Sequence, residues 1–80
     1  MIPLPRAKWR YQVIISYQKL WLLLKKNQMT KSELATAANI SQYTMTKLNK
    51  GLPVSIETMV KFCKIFHCDI GDIMEVIEDD

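Results

Sequence analysis

The residues best placed to do chemistry lie in one short stretch. Between Lys31 and Lys50 the chain carries Gln42, Tyr43, Lys47 and Lys50 among Ser41, Thr44 and Thr46, with no acid after Glu33. A glutamine amide offers a donor and an acceptor together, as the adenine edge requires in the major groove of a duplex. A lysine donates to guanine or to a phosphate, and a tyrosine ring can meet a thymine methyl while its hydroxyl meets a phosphate. On a helix with Met45 and Leu48 turned inward, Gln42, Tyr43, Thr46, Lys47 and Lys50 share the outer face, with Thr44 near its edge. An idle surface would mix both signs; this one suits a polyanion. Lys31 stands at the far end of the stretch, where it and the free N–H groups of a helix start can clamp a phosphate. The candidate DNA contacts are therefore Lys31, Ser41, Gln42, Tyr43, Thr44, Thr46, Lys47 and Lys50.

Other chemistry is thin. His67 has Cys63, Cys68 and Asp69 nearby, but their spacing is not that of a zinc site, and Cys63 falls on the apolar face of a helix. His67 reads as a structural histidine with its hydrogen bonds satisfied. No nucleophile stands with a base, no carboxylates pair, and no glycine loop is present to cradle phosphates. An enzyme, a metal, a cofactor and a small-molecule substrate are not expected. Two cysteines without a leader sequence read as reduced thiols in a cytoplasmic protein. The longest apolar run, Leu20 to Leu24, is far too short to span a membrane.

Eighty residues make one small domain, and 49% hydrophobic content with only two glycines suits a compact helical core. The charge is divided along the chain. Residues 1–50 hold nine Lys or Arg and the single acid Glu33, a balance of +8; residues 51–80 hold two lysines and seven acids, a balance of −5. An anionic partner for the first half follows from that division, and a different task for the second.

The elements that must position the candidate residues can be read in turn. Residues 1–13, with Pro3, Pro5, Arg6, Lys8 and Arg10, form a basic arm, either free or reaching an adjacent minor groove. Residues 14–77 form the domain and 78–80 an acidic tail. Tyr11 to Tyr17 is β-prone, and a first helix follows with Tyr17, Leu20, Trp21 and Leu24 inward. Thr30-Lys31-Ser32-Glu33 is a capping box, so Thr30 starts a second helix that Asn39 ends in the left-handed conformation. Ser41 caps a third helix that runs to Gly51, and Pro53 bars its continuation. Ser55 caps a fourth, with Ile56, Met59, Val60, Cys63 and Phe66 as its core face, and Asp69 caps a fifth around Ile70 to Met74. The expected architecture is all-α, five short helices with room for short strands at both ends. Val13 to Tyr17 and Ile73 to Ile77 could pair within one chain or across a dimer.

Residues 31–50 thus read as a helix-turn-helix, with Ala35 small enough for the two helices to cross closely. Leu20 to Ile73 resembles the Xre family, the Cro- and phage-repressor-type helix-turn-helix regulators of bacteria. The matching pieces are Met29-Thr30-Lys31-Ser32-Glu33-Leu34-Ala35, Asn39-Ile40-Ser41, Lys47-Leu48-Asn49-Lys50-Gly51 and the close Phe66-His67-Cys68-Asp69-Ile70-Gly71-Asp72-Ile73. The resemblance implies a lambda-repressor-like fold and a sequence-specific DNA-binding regulator, a repressor in role, acting on double-stranded DNA as a homodimer. It places Gln42, Tyr43 and Lys47 at base-reading positions, flanked by Ser41, Thr44 and Thr46, and Lys31 where a backbone contact sits. Asn49 replaces the family's common glutamate, which removes an ion pair, and Asn39 replaces the usual turn glycine. The competing expectation is a helix-turn-helix adaptor whose polar face binds a protein, as an antitoxin does.

Overall fold

The computed structural model describes residues 14–77, so the expectations for the arm 1–13 and the tail 78–80 lie outside the described residues. The order of elements is β1 (Ile15–Ser16), α1 (Gln18–Lys26), α2 (Lys31–Ala38), α3 (Gln42–Asn49), α4 (Ile56–Phe66), a 3-10 turn (Ile70–Asp72) and β2 (Glu75–Val76). The two strands pair antiparallel within the chain, Ile15 opposite Val76 and Ser16 opposite Glu75. The Ile77 amide extends the ladder by donating to the Ile14 carbonyl at 3.0 Å. Pairing of the chain ends is therefore intramolecular.

Local chemistry starts each of the central helices. Thr30 Oγ1 accepts from the Glu33 amide at 3.1 Å while Glu33 Oε1 accepts from the Thr30 amide at 2.9 Å, so both halves of the capping box are made. Ser41 and Ser55 cap α3 and α4 by accepting from the amides of Thr44 and Thr58. The ends share one device. In each of α1 to α4 an amide reaches back five residues: Met29 to Leu24, Ile40 to Ala35, Leu52 to Lys47 and Cys68 to Cys63. The residue before each donor (Gln28, Asn39, Gly51 and His67) has positive φ. This is the Schellman motif, which satisfies the last carbonyls and folds an apolar residue back onto the helix. Only one of the four positions is a glycine, so three side chains sit in the strained left-handed region.

Among the described residues ten hydrophobic side chains are buried, including Leu20, Leu34, Leu48, Phe62 and Ile73 with 1% exposure or less. Tyr17 is buried too, and its hydroxyl donates to the Leu52 carbonyl at 2.8 Å, tying the start of α1 to the loop after α3. Burial pushes the Tyr17 hydroxyl above the usual tyrosine range, with the Val54 backbone pulling the other way.

Two expectations are corrected. The fifth helix is a single 3-10 turn: Gly71 at its centre has poor helix propensity, and the Ile73 backbone (φ −121°) leaves the helical region. The inner face of α4 is Thr58, Met59 and Phe62, whereas Ile56 and Val60 are 67% and 40% exposed. The apolar residues of α4 span an arc wider than one packing face, with Glu57, Lys61 and Lys64 gathered on the remaining side, so spacing alone leaves the edges of the inner face open. Packing against α2 selects the face centred on Phe62, and Val60 then lies about 160° away around the helix. Within the β-prone stretch Tyr11 to Tyr17, Ile15–Ser16 forms the short strand and Tyr17 caps α1, while residues 11–13 lie outside the described residues. His67 closes α4 in the left-handed conformation and is exposed.

Candidate nucleic-acid interface

The second and third helices are joined by three residues, Asn39 to Ser41, and both ends of that connection are fixed. Asn39 takes φ 53° and ψ 51°, which ends α2, and Ile40 packs against the core before Ser41 opens α3. Ala35 faces the same core beside Ile40, and α3 seats itself through Met45 and Leu48. Two anchors one turn apart leave the opposite side of α3 for solvent. That side holds the expected residues: Gln42, Tyr43 and Lys50 are exposed, and Thr44, Thr46 and Lys47 are half-buried. Tyr43 is 71% exposed.

The eight candidates divide by what already holds them. Ser41 Oγ caps the helix and lies 3.1 Å from the Thr44 hydroxyl, so this pair is occupied in building the first turn. The Thr46 hydroxyl donates to the Gln42 carbonyl at 2.9 Å, which leaves its oxygen able only to accept. Lys47 Nζ sits 5.2 Å from the Tyr43 ring centroid, so the two long side chains at i and i+4 lie together as a cation on an aromatic face. Lys31 is held away from α3's first turn: its ammonium lies 4.1 Å over the Trp21 ring and donates to Asn49 Oδ1 at 2.7 Å. The structure thus brings Tyr43 to Lys47 and Lys31 to Asn49.

Trp21 and Asn49 are the residues that sequence reasoning did not assign to the site. Asn49 lies seven residues after Gln42, two turns along the same side of α3, and that spacing, with its departure from the family's common glutamate, was the available signal. Nothing in the sequence marks Trp21, because its contact with Lys31 exists only once α1 and α2 have packed.

The electrostatics are one-sided. In residues 14–50 the one acid is Glu33, and its carboxylate is turned back into the capping box. The Thr30 amide, then the Thr30 hydroxyl, hold it below the usual carboxylate range. The cations Lys31, Lys47 and Lys50 therefore face solvent with no carboxylate from α3 beside them. Cys63 and Cys68 are both free thiols, raised above the usual range chiefly by burial, and they lie outside this face.

A positive, hydrogen-bonding helix face set on a rigid two-helix support matches one known family over most of the chain. Residues 19–79 match the model of the Cro/C1-type helix-turn-helix DNA-binding domain. The chain belongs to that family. The crystal structure of the transcriptional regulator VanUg is similar, with 37% identity and a TM-score of 0.82 over 89% of this chain and 95% of that one. No curated protein matches the chain. Among the described residues of this Cro/C1-type domain, no helix is long and apolar enough to cross a membrane.

Proposed function

We propose that the protein is a sequence-specific DNA-binding transcriptional regulator, a repressor, that reads the major groove with helix α3. The observation that carries the proposal is the outer face of α3: Gln42, Tyr43, Lys47 and Lys50 together on a helix whose other side is locked by Met45 and Leu48. The family membership and the regulator VanUg support it. The reading helix spans Ser41 to Lys50 counting its two caps, with Gly51 the left-handed residue just beyond.

In this reading Gln42 meets an adenine edge through its amide. Lys47 donates to guanine or a phosphate, and Tyr43 beside it offers its ring to a thymine methyl. Ser41 and Thr44 hold the first turn at the distance the bases require, Thr46 supports Gln42 from one turn on, and Lys50 and Lys31 meet phosphates. Repression follows from occupancy of a promoter-proximal site, and a binding role leaves no reaction for the protein to catalyse. The protein acts as a homodimer on a palindromic site with half-sites about one helical turn apart.

Duplex binding measured against salt tests this directly. Affinity should fall steeply as salt rises from about 50 to 200 mM, with a log–log slope near −0.9 per phosphate contacted. Failure to bind any duplex at about 50 mM salt, with a protein captured instead through the α3 face, would overturn it in favour of the adaptor.

A further inference from the structure

We propose that Asn49, held by Lys31, is a phosphate-contacting residue, so that the last turn of α3 and the first residue of α2 grip one backbone phosphate of a duplex between them. This rests on the DNA-binding reading above. The argument begins with the chemistry of the 2.7 Å contact. An ammonium can only donate, so the atom of Asn49 that faces Lys31 is Oδ1. The amide is thereby oriented, with its Nδ2 hydrogens turned away from Lys31 on an exposed residue. A donor group presented without its acceptor suits an oxygen that only accepts, which is what a phosphate offers.

Lys31 keeps its full charge in this arrangement. Its two neighbours are a neutral carbonyl oxygen and the face of the Trp21 ring, and both stabilise a cation without cancelling it. One of its three N–H bonds is used on Asn49, which leaves donors for a further acceptor. A carboxylate at position 49 would hold Lys31 equally well but would neutralise it. The amide therefore does two things a carboxylate cannot: it adds donors of its own, and it leaves the neighbouring charge for the ligand.

The place is right for a phosphate rather than a base. Lys31, Ser32, Gln42 and Asn49 rim one groove of about 560 Å³ between α2 and α3, and Asn49 lies seven residues beyond Gln42. When the first turn of a recognition helix meets base edges, residues two turns on, about 10 Å away, pass over the backbone. Trp21 in α1 completes the arrangement by fixing the Lys31 side chain, so three helices set the position of one ammonium and one amide.

The test compares Asn49→Ala, Asn49→Asp and Lys31→Ala with the native protein. Each is measured on a duplex selected from a random pool by the native protein and on an unrelated duplex of equal length. Asn49→Ala should bind both duplexes about tenfold more weakly with an unchanged salt slope, because a neutral donor releases no counterion. Lys31→Ala should lower the slope by about one. Asn49→Asp should do both, since its carboxylate pairs with Lys31, and its retained acceptor keeps the folded contact intact. Far-UV circular dichroism establishes that each variant is folded. Native-like binding by Asn49→Ala overturns the proposal, as does a loss confined to the selected duplex, which would make Asn49 a base reader. A slope lowered by one in Asn49→Ala also overturns it, by showing that Asn49 acts only through Lys31. If the native protein binds no duplex, the DNA-binding reading itself fails and takes this one with it.

Discussion

Helices α3 and α4 stand side by side in the sequence and are built to opposite specifications. Helix α3 buries two side chains, Met45 and Leu48, and spends the rest of its surface on amide, hydroxyl, phenol and ammonium groups. Helix α4 buries Thr58, Met59 and Phe62 and still carries Ile56 and Val60 on its outer side. The first is a small apolar seam supporting a chemical face; the second has a broad apolar arc, only part of which its neighbours cover. A recognition element needs only enough burial to fix its orientation. The element that supplies the core can take its exposed face almost at random, unless a partner covers it.

The sharpest way to break this comparison is to remove Phe62. Phe62→Ala should cost about 3–5 kcal/mol, much of the stability of a domain this size, whereas Ile56→Ala should stay within about 0.5 kcal/mol. Urea midpoints of the two variants decide it, and equal losses would mean that the inner face of α4 is wrongly assigned. The caps of α3 come next. Ser41→Ala should lower stability by about 1 kcal/mol, and Gly51→Ala by a similar amount, because its φ of 71° disfavours a side chain. At the end of α4 the same Schellman geometry predicts the reverse: His67→Gly should raise the thermal midpoint, by up to about 1 kcal/mol in stability, since it relieves a left-handed histidine. A destabilised His67→Gly would show that the imidazole contributes something the backbone does not require.

The smallest expected effect is in the pH dependence, and it separates the start of α2 from the start of α1. Glu33 titrates lower in the folded state than unfolded, so its contribution is present above the ordinary carboxylate pKa of about 4.3 and is lost as the pH falls through the folded value. Tyr17 titrates higher when folded, so its contribution is present below about pH 10 and is lost as the pH rises through the folded value. Glu33→Gln should flatten the acid limb of a stability–pH curve and leave the alkaline limb alone; Tyr17→Phe should do the opposite.

How far the sequence could be read depended on whether the cause was local. The Thr30 capping box, the Ser41 and Ser55 caps and the left-handed Asn39 are settled within four residues of chain, and each was legible. The two central helices and their order followed from these. Gln28 and His67, which end their helices in the same way as Asn39 and Gly51, were not legible, because neither residue type favours positive φ on its own. The α4 face and the reduction of the last helix to one turn depend on packing and on Gly71, which a period alone does not weigh. At the site, the outer face of α3 was visible as a pattern. The Trp21–Lys31–Asn49 cluster joins three helices, and no spacing rule connects positions so far apart.

The claim on which the rest depends is that α3 reads bases through Gln42. Selection of duplexes from a random pool by the native protein and by Gln42→Ala, at one fixed salt concentration, tests it most directly. The native protein should enrich a defined site containing an adenine that Gln42→Ala no longer requires, with the variant about 1–3 kcal/mol weaker on the native site and little changed on unrelated duplexes. Enrichment of the same site with the same preference by both proteins, or of no site by the native protein, would contradict it.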